Sequence, residues 1–206
     1  MNNKIIAAGF LSLLSVVAHA NIKYMGVDLG QGQAVDYNGT PMNVFAGKLN
    51  FLNLNTNVNF KTVCGDLGNV ISNGQQWNCV PLQASSVSAN MGAAGRIVAG
   101  AFYLPTNNEQ AAALQLAVWE AVYDAGTNAG TADFTTGVFK TNISSNLLTL
   151  ANTYYSYVNT PGEAIYFQPN PLNAGQGQLA PVPEPATMLT LGAGLLIAAR
   201  RRRKSA

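Results

Sequence analysis

The last segment of the chain limits what everything before it can be. Residues 182–206 read VPEPATMLTLGAGLLIAARRRRKSA: a Pro-Glu-Pro tripeptide (Pro183, Glu184, Pro185), an apolar run from Ala186 to Ala199, then the cations Arg200, Arg201, Arg202, Arg203 and Lys204. Pro183 and Pro185 fix φ and lack an N–H, which keeps the entry to the run extended and open to a processing enzyme. The run itself favours a helix. Its 14 residues reach roughly 21 Å at about 1.5 Å per residue, against ~30 Å of hydrocarbon, and snorkelling arginines with local thinning cover the difference. Basic residues stay on the cytoplasmic side, so the rest of the chain is placed outside. A short C-terminal transmembrane helix is therefore expected.

This order of motif, short span and basic stop closely resembles the PEP-CTERM sorting signal. The resemblance implies an exosortase-type processing enzyme as partner and cleavage near the Pro-Glu-Pro. It also implies passage through the inner membrane, then release to the cell surface or exopolysaccharide matrix of a Gram-negative bacterium. The other end agrees. Met1 to Lys4 is a short basic start, Ile5 to Ala18 is apolar, and Ala18-His19-Ala20 is a small-x-small site. Residues 1–20 read as a signal peptide cut between Ala20 and Asn21.

Between these signals lies material for a single domain, residues 21–169, followed by a Pro/Gly/Gln/Asn-rich linker over 170–181 and the sorting segment 182–206. The whole chain carries a formal +2. Without its ends it keeps five Lys/Arg against eight Asp/Glu, a net −3. There is no basic patch, so nucleic acid is not expected as a partner. The only histidine, His19, leaves with the signal peptide. This argues against Ser-His-Asp, Cys-His and His-ligated metal chemistry, and no cofactor or metal is expected. The acids are scattered singly. Glu120 and Asp124 stand four apart and read as a solvated helix face.

The first half reads as strands. Ile22 to Leu29 alternates loosely, Gly30 to Gln33 reads as a turn, and Asn38-Gly39 is a strong turn signal. Met42 to Leu54 and Thr56 to Val63 are two further strands, with Asn alternating against Leu, Phe, Thr and Val. Gly65 to Asn78 reads as a loop. The second half reads as helices over Ser85–Tyr103, Glu109–Asp124 and Asn142–Val158, then a closing strand over Ala164–Gln168. The expected class is α+β, an antiparallel β-sandwich or barrel-like sheet with about three packed helices.

Two short motifs carry chemistry. One is Phe60-Lys61-Thr62-Val63-Cys64-Gly65-Asp66-Leu67, a strand ending in cysteine. The other is Gln115-Leu116-Ala117-Val118-Trp119 on a helix. Together they resemble the thioester domains of bacterial surface adhesins. That resemblance implies Cys64 as the thiol, Gln115 as the acyl donor and Trp119 as a residue that helps exclude water. Val63 departs from the aromatic or Leu of that pattern. The competing reading is a Cys64–Cys79 disulfide, since an even cysteine count in an exported chain is normally a bridge, and two free thiols are the third reading.

The expectation for function is a non-enzymatic exported protein of the cell surface or exopolysaccharide matrix, contributing to biofilm or adhesion and binding an extracellular polysaccharide or surface ligand. The alternatives are a carbohydrate-binding module stacking sugars on Trp77 or exposed tyrosines, and a carboxylate-dependent carbohydrate-active enzyme.

Overall fold

Residues 19–124 and 132–182 are described in a computed structural model of the chain. The fold is α+β, with a seven-stranded antiparallel sheet. Strands β1 (Ala20–Tyr37) and β2 (Thr40–Asn53) form a long hairpin. The others are β3 (Val58–Cys64), β4 (Gln76–Gln83), β5 (Phe139–Thr141), β6 (Ala164–Pro169) and β7 (Gln178–Pro181). The spatial order is β2-β3-β7-β6-β4-β1-β5, and β1 also pairs with β2. The sheet therefore closes on itself. β1 bonds β4 through Ala20–Lys23, bonds β5 through Val35–Tyr37, and bonds β2 along its length. The result is a six-stranded ring with β5 appended, the barrel-like alternative of the sequence reading. Closure removes most of the free strand edge that an open sheet would expose.

Where Gly30 to Gln33 read as a turn, the chain instead continues as strand, because Gly30 and Gly47 let the hairpin bend without breaking. They pair with one another at φ 151° and 153°. A Cβ on Gly30 would sit 2.2 Å from the Ala46 carbonyl oxygen, and one on Gly47 2.1 Å from that of Leu29. Only glycine fits such a close backbone crossing. A second difference lies at the C-terminal end. The composition of 170–181 reads as a linker, yet Gln178–Pro181 is β7, a central member of the ring between β3 and β6. Strand β4 also starts inside the expected loop.

The helices are α1 (Ala84–Val87), α2 (Ala89–Ala101), α3 (Asn108–Asp124) and α4 (Ser145–Tyr155), the last followed by a 3-10 turn over Ser156–Asn159. Each of the three longer ones starts at a polar cap. The Ser88 hydroxyl accepts from Met91 N–H, the Asn107 side chain from Gln110 N–H, and the Ser144 hydroxyl from Leu147 N–H. Helix α3 is buried nearly all round, and alanines at 111, 112, 113, 117 and 121 let α2, α4 and the sheet approach closely.

Two apolar clusters result. The smaller fills the ring with Ile22, Tyr24, Leu49, Phe51, Trp77 and Cys79. The larger packs the helices against Val63, Leu179 and Tyr166. Among the described residues, no helix is long and apolar enough to cross a membrane, and the expected C-terminal span lies outside them.

Candidate functional site

Cys64 ends β3, where the ladder with β2 has run out: the last pair on that side is Lys48 with Val63. The Cys64 peptide group is instead met by the Gln115 side chain from α3. Cys64 N–H donates to Gln115 Oε1 at 2.8 Å, and Gln115 Nε2 donates to the Cys64 carbonyl at 2.8 Å. Gln115 thus takes the place of a neighbouring strand. It is fully buried, and Cys64 is 3% exposed. The two residues singled out by the sequence, 51 apart, are brought together in a dry setting.

Trp119 and Tyr123 follow Gln115 at successive four-residue steps along α3. Trp119 is buried and lines, with Cys64, Phe45, Leu67, Val70 and others, a cavity of about 410 Å³. No charged side chain lines that cavity among the described residues. The Tyr123 hydroxyl accepts from Leu67 N–H at 2.8 Å, which fixes the loop after Cys64. The same loop is held by Gln176, whose Nε2 donates to the carbonyls of Asp66 (3.0 Å) and Asn69 (2.9 Å). The loop wraps the sulfur: Cys64 Sγ donates to the Asp66 carbonyl at 2.7 Å, and Asp66 N–H donates back to Sγ at 3.3 Å.

The electrostatics suit a neutral thiol. Burial pushes the Cys64 thiol up to about 12. The Asp66 N–H lowers it, the Asp66 carboxylate raises it, and the Trp119 indole lowers it. Burial also raises Tyr123, with smaller contributions from Asp66 and Cys64. Chemically, the arrangement puts a carboxamide on the backbone of a buried cysteine. The Cys64 N–H on Oε1 is a donor suited to charge developing there during acyl transfer.

Tyr123, Asp66 and Gln176 escaped the sequence reading. Tyr123 could have been found, since it repeats the four-residue step that separates Gln115 from Trp119. Gln176 was hidden in what read as linker.

The cysteines are not bridged in this structure. Both are free and buried, Cys64 in the larger cluster and Cys79 inside the ring, where its Sγ donates to the Ala20 carbonyl at 3.2 Å. Burial pushes the Cys79 thiol up to about 12.

Two other readings change. Trp77 is 4% exposed, its ring packed edge-on against Phe51 and covered by Gly175, so it offers no sugar-stacking face. Glu120 and Asp124 are not a solvated face but are buried at 1% and 7% exposure, because α3 is enclosed on all sides. Glu120 Oε1 accepts from Asp133 N–H, and Asp124 accepts from Val138 and Phe139 N–H. They act as backbone clamps for the 133–139 segment. Among the described residues, no group of three His, Cys, Asp or Glu could hold a metal ion.

Ala20 and Asn21, the expected cleavage pair, open β1 opposite Cys79 and Asn78. Pro183, Glu184, Pro185 and Arg200 to Arg203 lie outside the described residues. Comparison with known families supplies what geometry there cannot. Residues 181–204 match the PEP-CTERM protein-sorting motif. A PEP-CTERM chain is an exported exosortase substrate, held at the membrane in transit and then released at the surface. The PEP-CTERM match starts at the last residue of β7, so the sorting segment begins where the ring ends. No curated protein and no solved structure is significantly similar to the chain.

Proposed function

We propose that this exported, surface-associated chain is a non-enzymatic adhesive protein of the extracellular matrix, and that it attaches covalently through an internal Cys64–Gln115 thioester. The observation that carries this reading is the reciprocal pair of 2.8 Å hydrogen bonds between the Gln115 carboxamide and the Cys64 peptide, both buried. The Cys64 sulfur attacks Gln115 Cδ, the thiol proton passes to the departing nitrogen, the Cδ–Nε2 bond breaks and ammonia leaves. With the carboxamide held on the Cys64 backbone, the reaction is intramolecular and favoured by proximity. A partner's amine or hydroxyl then takes the acyl group, leaving an amide or ester at residue 115 and a free Cys64. Each chain reacts once, so this is attachment and not turnover. An extracellular polysaccharide or a surface protein in a biofilm is the acceptor this reading points to.

The test is the intact mass of the exported, processed protein without reductant. We expect a deficit of one ammonia that survives mild reductant and is replaced by a methylamine adduct. A deficit of two hydrogens, removed by reductant, would make Cys64–Cys79 a disulfide and end the thioester reading. No deficit would end it too.

A further inference from the structure

Trp119 is 1% exposed, and its indole Nε1 has no hydrogen-bond partner of ordinary distance and angle among the described residues. Buried indole N–H groups are nearly always paired, and an orphan is costly. Trp119 and Cys64 line one cavity, and an indole N–H donated to the sulfur would favour its thiolate. A second donor already points there: Asp66 N–H lies 3.3 Å from Sγ. We propose that the Trp119 indole N–H and the Asp66 backbone N–H form a paired donor site for the Cys64 sulfur, stabilising the thiolate that leaves when the thioester is opened. This rests on the thioester reading and assigns Trp119 a chemical role beyond exclusion of water.

The need for such a site follows from the surroundings. Among the described residues no cation lines the cavity, and the Asp66 carboxylate opposes negative charge on sulfur. A buried thiol is then a poor leaving group. When an amine opens the thioester, its nitrogen bonds to Gln115 Cδ. The Cδ–Sγ bond breaks with its electron pair on Sγ, and the proton lost by nitrogen ends on the thiolate or on water. The thioester sulfur has no proton and can only accept. Two N–H donors meet it weakly, then bind the thiolate more strongly, so the help grows along the reaction. The Asp66 side chain is kept aside, its oxygens taken by Gly68 N–H and Asn69 Nδ2.

The experiment removes the N–H and keeps the shape. Benzothienylalanine at position 119 replaces the indole N–H by sulfur, and Trp119→Phe is a second variant should incorporation fail. One arm follows methylamine adduct formation by intact mass in the full exported protein. The other puts each change in a Gln115→Ala background, where Cys64 cannot form a thioester, and reads iodoacetamide alkylation at about pH 9. Both rates should fall about tenfold, the weight of one hydrogen bond to a charged group. Unchanged rates in both arms would overturn the proposal while leaving the thioester intact. A fall in alkylation alone would overturn the leaving-group role. If the parent shows no ammonia deficit, the thioester reading fails by itself and takes the leaving-group role with it, and the alkylation arm still decides whether the paired donors exist.

Discussion

Glu120 shows how one enclosed side chain sets a pH dependence. Burial raises its carboxyl from 4.5 to about 7, with Asp124 and Asp133 adding to the rise and the Asp133 N–H opposing it. Oε2 has no partner among the described residues, which suits a protonated acid. Because the folded value lies above the unfolded one, its contribution to stability is complete below about 4.5 and is lost as pH rises through about 7. Glu120→Gln keeps an oxygen for Asp133 N–H and cannot ionise. It should be more stable than the parent by about 1–3 kcal/mol above about pH 8, and nearly equal to it at about pH 5. Urea unfolding at both pH values checks this, and a variant less stable at the higher pH would contradict it. Gln115→Leu makes the opposite point. It strands the Cys64 N–H and C=O in a dry interior and should cost about 2–4 kcal/mol relative to protein with an intact Gln115 carboxamide. A loss below about 0.5 kcal/mol, within the range of a neutral surface change, would mean that the two hydrogen bonds carry nothing.

At the scale of elements, what the sequence disclosed depended on how local the cause was. Helices α3 and α4 were legible because three- and four-residue apolar spacing is written within each segment, whereas the single helix expected over Ser85–Tyr103 divides at Ser88 into α1 and α2. The β1–β2 hairpin was half legible: Asn38-Gly39 marked its tip, but Gly30 to Gln33 mimicked a turn, because the glycine crossing depends on Gly47 in the other strand. Strand β7 was illegible. Gln178–Pro181 lies in Pro/Gly/Gln-rich sequence and owes its state to β3 and β6, far away in the chain. Cys64 and Gln115 were found from their paired motifs, while Glu120 was misread because an enclosed helix shows no polar face. Two outcomes follow. Gly47→Val puts side-chain atoms into the Leu29 backbone at positive φ and should cost about 3 kcal/mol or more, seen as a lower thermal midpoint. A chain ending at residue 169, where composition alone would end the domain, should fail to fold, whereas one ending at 182 should fold. Equal far-ultraviolet dichroism and melting for the two would show that β7 is dispensable to the ring.

For the whole molecule, the sorting motif and the ring share a boundary. The motif occupies 181–204 and β7 ends at Pro181. A cut near the Pro-Glu-Pro would therefore leave the last strand of the ring intact. The same boundary separates two kinds of charge. Net −3 belongs to the 21–180 portion, and the dense positive cluster belongs wholly to the end, at Arg200–Lys204. Basic residues resist transfer across the membrane, and a short apolar run has little else to hold it in place. Replacing Arg200–Lys204 by neutral residues should leave the domain folded but reduce processed protein at the surface, with unprocessed or freely secreted chain gathering elsewhere. Fractionation with intact-mass measurement of each pool reads both quantities at once. If the neutral variant reaches the surface in the parent's amount and with the parent's C-terminus, the basic cluster has no part in sorting. If instead the domain itself unfolds, as judged by its melting transition, then the folded part and its signal are coupled in a way that the boundary at Pro181 does not allow.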